Sequence, residues 1–135
     1  MNNPLGIPGG IILDTSALAR LGKSRTISFL VVTAGTGLRR LYTSVACVDA
    51  ADRLQPGIAH HVLTGLADLL NPVELTVSAV LWAREYLPAE PVDIAHTAYL
   101  AWRGNDPEWP NGRTVATTRA QTYQAWGLSI HSIID

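Results

Sequence analysis

Two aspartates stand where chemistry is easiest to build. Asp14 ends the apolar run Ile11-Ile12-Leu13 and is followed by Thr15-Ser16. A carboxylate at the end of a buried strand is costly unless a helix N-terminus donates to it or it binds a cation. The residues alone leave both roles open. Asp93 opens a helical stretch and has His96 three positions on, a spacing that turns both side chains the same way and would let them share a metal. Other titratable groups read more plainly. Cys47 lies in Val45-Ala46-Cys47-Val48 and reads as a small buried hydrophobe rather than a reactive thiol. His60 and His61 are adjacent, about 100° apart on a helix, and cannot easily share one metal. Arg39-Arg40 reads as a solvated loop. The chain has no Gly-x4-Gly-Lys-Ser/Thr, no Gly-x-Gly-x-x-Gly and no Gly-x-Ser-x-Gly, so phosphate-loop and nucleophile-elbow chemistry lack their usual signatures.

The elements that must position these residues alternate in type. Short apolar or β-branched runs at 11–13, 41–44, 73–77, 114–117 and 129–133 predict strands. Helical spacing predicts helices over 15–21, 26–36, 45–54, 58–70, 78–87, 92–102 and 119–126. Gly22, Gly35, Gly37, Pro56-Gly57, Asn71-Pro72, Pro88 and Gly127 punctuate them. Strands alternating with helices point to an α/β domain with a mostly parallel sheet. Ligands in such sheets bind at the carboxyl ends of strands, which selects Asp14, the 44–49 junction and the 117–119 junction.

The composition bounds the rest. With 135 residues, 47% hydrophobic and 16% charged, the chain reads as one globular domain over 11–135 after a loose Gly/Pro lead-in at 1–10. The net charge of -1 excludes a uniformly basic nucleic-acid glove but leaves room for a local basic patch. A single cysteine excludes an intramolecular disulfide and a cysteine-based metal centre. The opening residues lack the basic and apolar regions of a secretory signal, and no apolar run approaches the ~18 residues of a membrane span. The expected compartment is the cytoplasm, with no membrane partner.

Three blocks, in order, resemble a known family. Ile-Leu-Asp-Thr-Ser-Ala-Leu (Ile12 to Leu18) resembles the opening of PIN domains, the family that includes the toxin nucleases of bacterial toxin–antitoxin pairs. Pro91 to Ala98 is similar to that family's Asp-Ala-x-x-Ala-Ala helix. Thr114 to Tyr123, on to Gly127-Leu128, is similar to its strand and helix around Val-x-Thr-x-Asp. The resemblance runs from about Ile11 to Ile134.

The resemblance implies a Rossmann-like, PIN-type three-layer sandwich with a mostly parallel sheet of about five strands. It implies a divalent-metal-dependent endoribonuclease, with a place as a toxin component among the expectations. Mg²⁺ or Mn²⁺ would be held by carboxylates and would activate the water that attacks an RNA phosphodiester. Asp14 and Asp93 match two family acids and would be the catalytic ligands. The place of the family's second acid falls near Ala50, and Asp49, one residue off, would be a stand-in there. Ser16 and Thr117 would orient carboxylate or water through their hydroxyls. The fourth acid's place holds Arg119, whose charge opposes cation binding and suits an RNA phosphate. Asp106 and Glu108, in the nearby loop, are the other candidates to replace the missing acids. The reduced set keeps a second reading open: a catalytically impaired PIN-fold protein that binds RNA or protein. RNA, an antitoxin or other protein partner, and a homodimer are the partners the resemblance implies.

Overall fold

The computed structural model describes residues 10–37 and 39–135. The lead-in predicted at 1–10 lies, except for Gly10, outside the described residues. In chain order the elements are β1 (Gly10–Leu13), α1 (Thr15–Leu18), α2 (Arg25–Gly35), β2 (Arg40–Ser44), α3 (Val45–Leu54) and α4 (Ile58–His60), which runs into a π-helical turn at His61–Gly65. Then follow β3 (Leu70–Val73), α5 (Val77–Tyr86), α6 (Val92–Ala101), β4 (Thr114–Thr117), α7 (Ala120–Gln124) and β5 (Ile130–Ser132).

The five strands form one sheet in the order β3-β2-β1-β4-β5, and every neighbouring pair is parallel. Helices cover both faces, which makes the fold an α/β Rossmann-like three-layer sandwich. The alternation of side chains along β1 explains the layers. Ile11 and Leu13 join a core with Leu18, Ile27, Leu30, Val48 and Val62 from α1 to α4 and the π-helical turn. Ile12 points the other way and packs with Val115, Leu100 and Tyr123, beneath α6 and α7. Ile11, Ile12 and Leu13 are all fully buried, so β1 reads as an unbroken apolar run because both its faces are covered. Each such side chain contributes about 1.5–3 kcal/mol by leaving water. Among the described residues, no helix is long and apolar enough to cross a membrane.

Two predicted elements move. Apolar alternation predicts the third strand at 73–77, but β3 is Leu70–Val73 and includes Asn71-Pro72. Leu70 pairs with Leu41 and is fully buried, whereas Val77 is 77% exposed, so burial rather than alternation selects the strand. The proline is tolerated because β3 is an edge strand with a neighbour on one side only. Asn71 Nδ2 donates to the Leu41 carbonyl at 3.0 Å and adds a side-chain tie to β2. The helix predicted over 58–70 is shorter for the same reason, since Leu70 is claimed by the sheet. Its middle widens into a π turn in which the Leu66 N–H donates to the His61 carbonyl at 3.0 Å.

The start of β4 is pinned by a buried guanidinium. Arg113 donates to the Leu100 carbonyl and to Asp106, each at 2.7 Å, and lies 4.4 Å from the Tyr42 ring centroid. Burial pushes the Asp106 carboxyl up, but the Arg113 hydrogen bond, the Glu108 N–H and the guanidinium charge outweigh it and leave the group below its ordinary range. Gly112, just before Arg113, has φ +80°, and a Cβ there would collide with the Ala101 carbonyl oxygen. Gly112→Ala is expected to cost about 2–4 kcal/mol, read as a lower urea midpoint at unchanged slope. An unchanged midpoint would show that this turn does not hold β4 in place.

Candidate functional site

The sheet's strand order reverses between β1 and β4, and the carboxyl ends of these two strands open a crevice there. Asp14 sits at its floor, 3% exposed. Its Oδ1 accepts from the Ser16 hydroxyl at 2.6 Å and the Ala17 N–H at 2.9 Å, so it caps α1. Its Oδ2 accepts from the Thr117 hydroxyl at 2.6 Å and the Tyr123 hydroxyl at 3.0 Å. The two hydroxyls that flank it are themselves acceptors. Ser16 Oγ takes the Thr118 N–H at 3.0 Å, and Thr117 Oγ1 takes the Arg119 N–H at 2.8 Å. Asp14 therefore holds the β4–α7 junction through two hydroxyl relays and sets where Arg119 emerges.

A cavity of about 610 Å³ opens above this network. Asp14 and Asp93 both line it, together with Thr118, Arg119 and Tyr123. Asp93 is oriented by Thr15, whose hydroxyl donates to Oδ2 at 2.6 Å. Arg20, after α1, and Arg53, on α3, line the same cavity, so three guanidinium groups stand around it. Sequence reasoning did not select Arg20, Arg53, Thr15 or Tyr123. Arg20 and Arg53 reach the cavity only through the rotation of their segments about the crevice, which no local pattern reports.

The other predicted groups lie elsewhere. Asp49 is on the exposed side of α3, 2.9 Å from Arg53, and is not among the cavity-lining residues. Asp106 is held by Arg113 before the start of β4, whereas Thr117 and Tyr123, which bond Asp14, lie at and beyond that strand's end. The Glu108 N–H donates to Asp106 at 2.9 Å, which keeps Glu108 in that same loop. Asp93 and His96 do not share a pocket, contrary to their helical spacing. His96 is buried, with Nδ1 2.6 Å from Ser44 Oγ, and lines cavities separate from the one Asp93 faces. The reason is that α6 is covered on several sides, so a three-residue step does not select one face. Cys47 is buried as predicted, 3.1 Å from Thr97 Oγ1, and burial pushes its thiol up to about 11.

This donor set is a poor match to a carboxylate-held divalent metal. An ionised carboxylate offers about four lone-pair sites, and Asp14 accepts four protein hydrogen bonds. Burial and the Asp14 charge raise the Tyr123 phenol, so it keeps its proton and serves as a donor. Among the described residues, no three His, Cys, Asp or Glu side chains gather where they could hold an ion. Asp93 remains as a carboxylate whose partner is the Thr15 hydroxyl.

Two outcomes follow from these environments. Asn at position 14 presents one acceptor oxygen where Asp presents two, and it strands donors that are buried. Asp14→Asn is expected to lower stability by about 2–4 kcal/mol, seen as a lower melting temperature. A variant melting at or above the wild type would mean that Asp14 is a strained charge rather than a hub. Burial lowers His96 from 6.5 to about 4. The unfolded chain then takes up the proton first, so the His96 contribution to stability is level above pH 6.5 and falls as the pH drops from 6.5 toward 4. The full loss is about 3 kcal/mol. His96→Gln should flatten that slope in urea titrations run across this window, and an unaltered slope would remove His96 as its source.

No protein-family model matches the chain and no curated protein is significantly similar to it, so the site is read from its own geometry.

Proposed function

We propose that this chain is a PIN-like protein that binds RNA at the β1/β4 crevice and does not cut it with a metal centre of its own. The observation that carries this reading is a carboxylate saturated by four protein donors beneath a rim of three arginines. A saturated Asp14 has its lone pairs committed to holding the fold. Arginine forks suit phosphate oxygens, stay charged at every physiological pH and hold less water than an ammonium group. The overall charge of -1 makes the rim a local patch. Such a patch draws a phosphate backbone to one place rather than along the whole surface.

One observation favours the metal-dependent endoribonuclease: Asp14 and Asp93 line one cavity. A single set of measurements separates the two readings. Single-stranded RNA should bind with a log K against log salt slope of about -0.7 for each phosphate held at the rim. Arg119→Ala should make the slope shallower by about 0.7 and leave the melting temperature within a degree or two. Mn²⁺ should neither bind with micromolar affinity nor support cleavage. RNA cleavage that needs Mn²⁺ and disappears in Asp93→Asn would restore the nuclease. Absence of RNA binding at low salt would remove the proposed function.

A further inference from the structure

The cavity carries one feature that phosphate binding leaves unused. Asp93 presents a carboxylate to a space that three arginines also line, and a carboxylate repels phosphate. Its Oδ2 takes the Thr15 hydroxyl at 2.6 Å, which fixes its orientation; no other side-chain donor to it is found among the described residues. An oriented carboxylate with spare lone pairs recognises a neutral O–H or N–H donor. Part of the wall is apolar, made by Ala19, Ala50, Leu54 and Ile94. At about 610 Å³ the cavity falls in the ~300–1,000 Å³ range of small-molecule sites. Phosphate, hydroxyl donor and flat apolar body occur together in one unit of an RNA chain.

We propose that the cavity takes a single ribonucleotide unit, with its phosphate on Arg119 and Arg20, its ribose 2′-hydroxyl donating to Asp93, and its base against the apolar wall. This rests on the RNA-binding reading above and adds to it a basis for telling RNA from DNA. The 2′-hydroxyl is the group that separates the two polymers at any given site. Without it, Asp93 meets the sugar with no donor and keeps its repulsion for the flanking phosphate. The base contact is made by aliphatic side chains, so it tolerates any base.

The test uses the full chain and three single strands of one sequence: RNA, DNA and 2′-O-methyl RNA. Fluorescence anisotropy should give RNA an affinity about tenfold above both others, the scale of one charge-assisted hydrogen bond. Asp93→Ala should bind RNA and DNA alike, with its DNA affinity unchanged or raised because a negative charge is gone. Equal binding of RNA and 2′-O-methyl RNA by the wild type would overturn the assignment of the 2′-hydroxyl and leave RNA binding itself intact. A preference for RNA that survives Asp93→Ala would overturn the role of Asp93. Failure of all three strands to bind would overturn this inference together with the reading beneath it. The 2′-O-methyl comparison needs no variant, so it decides the matter even if Asp93→Ala folds poorly.

Discussion

The carboxylate of Asp14 is the point on which the crevice depends. It lies at the end of β1, caps α1 through Ala17, and accepts from Thr117 at the end of β4 and from Tyr123 on α7. Two stretches far apart in sequence, 14–17 and 117–123, thus meet at one charged group. Its burial is tolerable because each lone pair finds a donor, and breaking any one bond leaves a polar group in a dry place. The same arrangement converts a local constraint into the placement of Arg119. The backbone N–H groups of Thr118 and Arg119 are held by the very hydroxyls that serve Asp14.

Electrostatics around the cavity are mixed rather than of one sign. Asp14 is buried and held by uncharged donors, Arg53 shares its charge with Asp49, and Arg20 and Arg119 are exposed at the rim. Exposed arginines at a rim steer an anion toward the opening, whereas an oriented carboxylate inside discriminates among the anions that arrive. On this division, attraction belongs to the rim and selectivity to Asp93.

Much of the fold was legible because its signals are local. The unbroken apolar run at 11–13 needs cover on both faces, and the strand–helix alternation leaves a parallel sheet as the consistent answer. Asp14 was visible as a polar residue ending that run, and the structure makes it a cap. What was not legible depends on packing. Tyr123 reaches Asp14 across 109 positions, and nothing near either residue marks the contact. The placement of β3 turns on which strand lies at the edge, a property of the whole sheet. Asp93 and His96 part company because α6 buries His96, Thr97, Ala98, Leu100 and Ala101 against neighbours on more than one side.

The sheet's two outer strands are short. β3 has four residues, one of them proline, and β5 has three. A free edge is a template on which another chain can add its own strand, and its danger grows with length and regularity. Edges this brief give an incoming segment few ladder bonds, and the pyrrolidine ring breaks the run on one side. Among the described residues, both sheet edges are therefore weak templates for strand addition, even where copies of the chain crowd together.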